Sequence, residues 1–408
     1  MLWIAFALVH VLVAVLGFVL PNQPMGDVYN VYEPWSTWAI EGRAIVGVTE
    51  SWVYPQLALV PMVLAHGFAW IAGYEIAWAI LVTLCDALAF ALLVGRGRSR
   101  GRVTAAWFWL AFIALLGPVG MYRLDGITVP LALAGCLWLV GRPWLGSILL
   151  AVATWMKVWP AALLAAAVIA VRRRFTVIGG AALVSVLTVG AVFAGGGMPH
   201  AFGFVTDQTD RGLQLEAPVS AWYLWRAVAG IPGSYIYYDR DILTFQVMGP
   251  GMQTVAAVMT PLLIVAVAAL AALGAYKAWR GAGFLRLFPA LALALVLAFI
   301  VFNKVGSPQY LTWIIAPLAV GLVIDRRRWL RPAALGLIIA GITQVVYPMI
   351  YGDILNAEAL PAAVLTLRNA LLVVLLVWSI ARLVQVPRRT TTARRAATLE
   401  RSASTIGS

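Results

Sequence analysis

A few charged residues stand out in a chain that is 63% hydrophobic and only 11% charged. Asp27 lies in GDVYNVYEPW (26–35) with Tyr29, Tyr32 and Glu33, while Arg123 and Asp125 share YRLDG (122–126). Lys157 lies in MKVWP (156–160), and Lys304 in NKVGSPQY (303–310) with Gln309 and Tyr310. A carboxylate among aromatic rings can take a proton from a sugar hydroxyl while the rings stack on sugar faces. Three cations at one membrane surface suit a phosphate or pyrophosphate carried on a lipid tail. Each residue also has a plainer reading. Asp27 fits the N-cap of a helix over 28–42, and the surrounding Tyr and Trp fit an interfacial belt. Lys157 and Lys304 can snorkel, and Arg123 can pair with Asp125. One at a time the two readings balance, and the convergence of three cations on one face favours the chemical one.

The elements that must position these residues are membrane helices. Apolar runs near bilayer length recur along the 408 residues, which implies an all-α polytopic membrane protein. The opening run, 2–20, is interrupted only by His10 and lacks a positively charged leader, so it reads as a retained span and not a cleaved signal. Apolar length predicts twelve helices, at 2–20, 74–94, 104–119, 127–141, 145–157, 159–171, 177–194, 252–273, 287–302, 310–324, 333–348 and 361–381. The segment 56–72 is short, carries Pro61, His66 and Gly67, and is placed as a helix at the interface. Cys85 and Cys136 fall inside apolar segments, so no structural disulfide is expected.

With twelve spans, most of the 29 basic residues share one side with both termini, and most of the 16 acids fall on the other. The positive-inside rule makes the basic side cytoplasmic, in a cell membrane, and puts the longer loops 21–55 and 195–250 and the polar stretch 302–310 outside. The net charge of +13 therefore needs no nucleic acid, since basic loops face anionic headgroups. Residues 1–385 form one transmembrane unit, and 386–408, rich in Arg, Thr, Ser and Ala, reads as a basic disordered tail. No internal repeat and no matched pair of broken helices is evident.

His66 and His200 read as structural histidines, with His66 also a candidate at the substrate site. Asp239 and Asp241 form a D-x-D string, but the intervening Arg240 favours a solvated loop. No metal and no cofactor is expected.

In order along the chain, GDVYNVY, WVYPQ (52–56), YRLDG, WMKVWP (155–160) and NKVGSPQYLTW (303–313) resemble the GT-C superfamily of polyprenyl-phosphate-sugar-dependent glycosyltransferases. The resemblance is nearest to family eighty-seven, which includes mycobacterial phosphatidylinositol-mannoside α-1,2-mannosyltransferases, and to GPI mannosyltransferase I, and it spans roughly residues 20 to 350. It implies a helical bundle with an external cavity, and Asp27 as the general base of an inverting mannosyl transfer to a glycolipid or cell-wall glycan acceptor. It further implies Arg123, Lys157 and Lys304 on the donor phosphate, with Tyr29, Tyr32, Glu33, Tyr54, Asp125, Gln309, Tyr310 and His66 around the substrates. An arabinofuranosyl donor is the alternative within the class. A lipid-linked sugar flippase or other transporter, or a non-catalytic scaffold, are the alternatives outside it.

Overall fold

The computed structural model describes residues 1–206, 211–240 and 242–387, and the tail 388–408 and Asp241 lie outside the described residues. The chain is mostly helical. It opens with α1 (Leu2–Val19), then a π-helical turn at Val28–Tyr32 that runs into α2 (Glu33–Ile40). The interfacial segment follows as α3 (Leu59–Ala65), flanked by the 3-10 turns Gln56–Ala58 and His66–Phe68. Then come α4 (Tyr74–Val94), α5 (Arg100–Leu116), α6 (Pro118–Met121), α7 (Asp125–Trp138), α8 (Pro143–Met156), α9 (Ala161–Ala170) and α10 (Arg174–Ala194). The large loop contains α11 (Gly203–Thr206) and α12 (Ala221–Val228), and the last part of the chain holds α13 (Met252–Trp279), α14 (Phe284–Val301), α15 (Ile315–Gln344), α16 (Tyr351–Leu355) and α17 (Ala359–Val384).

Among the described residues seven helical stretches are long and apolar enough to cross a membrane: α1, α4, α10, α13, α14, α17 and the stretch Pro308–Met349. The protein is a polytopic membrane protein. All twelve expected segments are helical over most of their length, but α7, α8 and α9 have only 14, 14 and 10 residues. At about 1.5 Å per residue these fall short of a hydrocarbon core of about 30 Å. The stretch Pro308–Met349 is itself broken, because Asp325 leaves helical geometry at φ −146° and ψ 80°. A loop is expected over 325–332, yet Arg326, Arg327, Arg328 and Arg331 continue as helix. Arginine is a good helix former, and the Asp325 carboxylate accepts from the Arg328 backbone N–H (3.3 Å), restarting the helix as a cap does.

The all-α expectation needs one correction. The loop between α10 and α13 carries a small antiparallel sheet of β1 (Leu213–Gln214), β2 (Tyr235–Asp239) and β3 (Thr244–Met248) in the order β1-β3-β2, with Tyr237 opposite Gln246. Its tyrosines, Phe245, Thr244 and Val247 are strand-favouring types, which a hydropathy reading of spans does not weigh.

At the centre of the bundle α14 is buried on nearly every side, packed by α9, α13, α15 and α17. By contrast α1, α10 and α13 expose Leu8, Val186, Leu187, Ile264 and Val265, as lipid-facing helices do. Helices α7 and α8 meet backbone to backbone: a Cβ on Gly146 would stand 2.7 Å from the Gly135 carbonyl oxygen, so only glycine fits. The two ends of the bundle differ. One gathers the basic turns, with Gly101 against the Val323 carbonyl and Lys277 donating to the carbonyls of Val384 and Val386. The other gathers Asp27, Arg123, Asp125, Lys157 and Tyr310.

Candidate functional site

Beyond α1 the chain reverses through Asn22 and Gln23, both at positive φ. The Asn22 side-chain amide donates to the Pro348 carbonyl (2.7 Å), and the Tyr347 hydroxyl donates to the Asn22 carbonyl (2.9 Å). So anchored, the chain enters a helical turn at Asp27, which has φ −64° and ψ −27° and whose side chain makes no capping hydrogen bond. The N-cap expectation for Asp27 is therefore corrected: its carboxylate pairs with the Arg123 guanidinium across the bundle end. The Asp27 side chain remains 32% exposed while that of Arg123 is 10% exposed. The π turn that follows widens the helix just beyond the carboxylate, a distortion often found at functional sites. Burial lowers the proton affinity of Arg123, whereas the nearby Tyr347 hydroxyl and Asp125 raise it.

Tyr32 fastens the two halves of this layer. It is buried, its ring lies 5.0 Å from Trp78, and its hydroxyl accepts from the Leu124 N–H (3.0 Å). The Trp78 indole donates to the Tyr122 carbonyl (2.9 Å), which holds the other end of the YRLDG turn.

A second layer lies around Asp125, the first residue of α7 and wholly buried. Its Oδ2 accepts from Lys157 Nζ (2.6 Å) and its Oδ1 from Trp313 Nε1 (2.6 Å). The expected Arg123 with Asp125 pair does not form, because residues two apart at a helix start point in different directions and each finds a partner elsewhere. Lys157 sits in the extended break between α8 and α9, its ammonium 5.2 Å from the Tyr310 ring centre and 5.8 Å from that of Tyr54. Trp313 is stacked between Tyr310 (4.1 Å) and Trp159 (5.7 Å, 7° between planes), and the Trp159 indole donates to Thr128 (3.1 Å). Tyr54 adjoins Tyr32. Burial, then the nearby Tyr310 and Asp125, push its hydroxyl well above the ordinary value, and Arg211 opposes.

The remaining candidates flank these layers. Tyr29 is half-buried beside Asp27, its hydroxyl raised by burial and by Glu75. Lys304 is buried, and its carbonyl accepts from the Gln214 N–H (3.0 Å). Gln309 is half-buried, and its carbonyl accepts from Thr312 (2.8 Å). His66 is held elsewhere: its Nε2 meets Ser36 Oγ at 2.9 Å and its ring lies 4.7 Å from Tyr74, well along α2 from Asp27. Burial lowers its pKa and Glu33 partly opposes. His200 meets Ser51 through Nδ1 at 3.3 Å. Asp239 accepts from the Gln246 side chain (3.1 Å) within the small sheet. Among the described residues no group of three or more His, Cys, Asp or Glu converges as a metal site, and both cysteines are free thiols.

Sequence reasoning missed three residues. Arg211 acts electrostatically on both Tyr54 and Tyr310 and has a buried Nε without a partner among the described residues. Gln214 accepts from the Gly306 N–H (3.2 Å) and Ser307 hydroxyl (3.4 Å), so it clamps the NKVGSP loop. Glu216 is buried and accepts from the Tyr351 hydroxyl (2.7 Å). All three lie in one run, RGLQLE (211–216), whose distance in sequence from the other motifs gave no signal. No protein-family model matches the chain, and no curated protein or solved structure does so either.

Proposed function

We propose that the protein is a membrane glycosyltransferase of the GT-C type that transfers mannose from a polyprenyl-phosphate-mannose donor to a glycolipid or cell-wall glycan acceptor. In this reading twelve helical segments, the short α7, α8 and α9 among them, pack within a cell membrane with both termini cytoplasmic, and the end that bears Asp27 faces outward. The observation that carries the reading is the pairing of a part-exposed Asp27 with Arg123, beside an aromatic layer of Tyr54 and Tyr310 around the Lys157 to Asp125 pair.

The chemistry follows from that pairing. The acceptor hydroxyl oxygen attacks the anomeric carbon, the bond from that carbon to the phosphate oxygen breaks, and its electron pair leaves with the lipid phosphate. The hydroxyl proton passes to the Asp27 carboxylate. A phosphate departs without being protonated, so one base on the attacking side suffices and the configuration inverts. Arg123 exchanges part of its contact with Asp27 for the donor phosphate, which both holds the leaving group and frees the base. Lys157, its charge balanced by Asp125, holds the Tyr54 and Tyr310 rings in place behind Arg123, and Lys304 flanks the same end. Tyr29, beside Asp27, lines the approach, and its ring can stack on a sugar.

The test is sugar transfer by the purified protein in lipid, supplied with polyprenyl-phosphate-mannose and a phosphatidylinositol-mannoside, for wild type and Asp27→Asn. Turnover by wild type that is lost in the variant is the expected result. Turnover with the arabinofuranosyl donor alone would change the sugar and keep the base.

One observation favours a second reading, a proton-coupled transporter. Within the membrane-spanning helices, His10 Nε2 lies 3.2 Å from Asp86 Oδ2 while His10 Nδ1 lies 2.8 Å from the Phe6 carbonyl oxygen. Both ring nitrogens thus face oxygens, and a paired imidazole and carboxyl at membrane depth are usually functional. Flux of a lipid-linked sugar across liposomes without transfer, abolished by Asp86→Asn, would establish that reading instead.

A further inference from the structure

At the end of the bundle opposite Asp27, a cavity of about 430 Å³ opens where three distant parts of the chain meet. The start of α14 supplies Arg286, the break in α15 supplies Asp325, Arg328 and Trp329, and the end of α17 supplies Trp378 and Arg382. The Arg382 guanidinium lies over the Trp378 ring at 4.8 Å, and the Trp378 and Trp329 rings meet edge to face at 5.7 Å. Stacking on indole leaves the in-plane N–H groups of a guanidinium free to donate. Asp325 accounts for one positive charge through its ion pair with Arg328 Nε (3.3 Å). Arg286 and Arg382 have no carboxylate in ion-pair contact among the described residues, so the cavity carries a surplus of two positive charges.

We propose that this cavity binds the phosphate-bearing headgroup of an anionic membrane lipid. Charge selects an anion, and the fork geometry of arginine selects phosphate. Position selects a lipid over a free ion. Leu285 lines the cavity and is 56% exposed, and the adjoining α17 exposes Val377 and Val384, so the site borders helices that present apolar surface as lipid-facing helices do. Trp329 follows the break at Asp325 and Trp378 lies within the last two turns of α17, so both indoles sit toward this end of the bundle. The chain's own tail is a poor occupant, since residues 388–408 contain five arginines and one glutamate. The site stands apart from the glycosyltransfer reading, and its test needs no turnover.

The experiment is native mass spectrometry of the full-length protein released from vesicles of phosphatidylcholine with phosphatidylglycerol. Wild type is expected to retain phosphatidylglycerol in preference to phosphatidylcholine. Arg286→Gln combined with Arg382→Gln is expected to lower that retention about tenfold, as two charge-assisted contacts are removed. Arg96→Gln, in a different basic turn of the same end, is expected to leave it unchanged. Equal retention by the double variant, or no preference between the two lipids in wild type, overturns the proposal. Displacement of the bound lipid by millimolar inorganic phosphate would overturn the lipid assignment in favour of a free anion. The preference is read on wild type alone, so the proposal stays testable even where a variant fails to fold.

Discussion

Two ion pairs leave the same YRLDG turn in opposite physical circumstances. Arg123 reaches Asp27, whose side chain keeps 32% of its exposure, and Arg123 Nε has no partner among the described residues. Asp125 reaches Lys157 with no exposure at all, and both of its oxygens are taken, one by the ammonium and one by the Trp313 indole. The second pair is complete, and completeness is what a buried charge requires to be tolerated. The first pair has spare hydrogen-bonding capacity and access to solvent, which a group that must exchange partners during a reaction requires. Adjacent charges in the sequence thus divide into one that joins segments of the fold and one that is left available.

The largest effect that could break this contrast is expected at Asp27. Asp27→Asn should lower sugar transfer by roughly 10²–10⁴, the usual contribution of a general base, while lowering the unfolding temperature in detergent less than loss of the buried pair does, since the amide oxygen still accepts from Arg123 and the position is 32% exposed. A variant that unfolds early would move Asp27 into the structural class. Lys157→Met should do the reverse, costing about 3–5 kcal/mol by leaving a buried carboxylate unpaired, and would be read as a large drop in unfolding temperature. Smaller still is Trp313→Phe, which keeps the stack with Tyr310 and Trp159 but deletes the donor to Asp125. A loss of about 1.5–3 kcal/mol is expected for a hydrogen bond to a charged group.

The last comparison sharpens the contrast with an acid that is buried but incompletely satisfied. Glu216 has one oxygen on Tyr351 and the other without a partner, and burial raises its pKa above the usual carboxylate range, with Tyr351 and Arg368 opposing. The folded chain therefore holds this proton more tightly than the unfolded chain does. Stability associated with the proton is fully present below the ordinary carboxylate pKa and is lost as pH rises through the raised folded value. Glu216→Gln should flatten that slope, measured as unfolding temperature against pH, and an unchanged slope would assign it to another group.

How much of this was legible beforehand depends on the kind of signal. The helices were legible because bilayer-length apolar runs leave little choice: lipid offers no partner for an open backbone group, so such runs become helices. The small sheet was not, since its strands are short and half-exposed and lie inside a loop that hydropathy treats as blank. The break at Asp325 was legible as a boundary but not as a helix restart, because a run of arginines reads as a loop by charge and as a helix by propensity. At the site, residue types picked out Asp27, Arg123, Asp125 and Lys157, and of the plainer alternatives the pairing of Arg123 with Asp125 does not form, since Arg123 meets Asp27. His66 was placed near the site by its segment, and the structure instead ties it to Ser36. Arg211, Gln214 and Glu216 were invisible, since a loop residue carries no periodicity to reveal what it faces.

By itself, then, the sequence determined that this chain resides in a membrane as a helical bundle, and which few polar side chains had to be accounted for there. Both follow from local properties, the length of apolar runs and the cost of charge near lipid, which need no knowledge of neighbours. Only the tertiary structure decided that Asp27 meets Arg123, that Asp125 is closed off by Lys157 and Trp313, and that arginines from three connections surround one cavity. Those outcomes depend on which helix ends pack side by side, and packing of many interdigitating side chains is not encoded in any one segment.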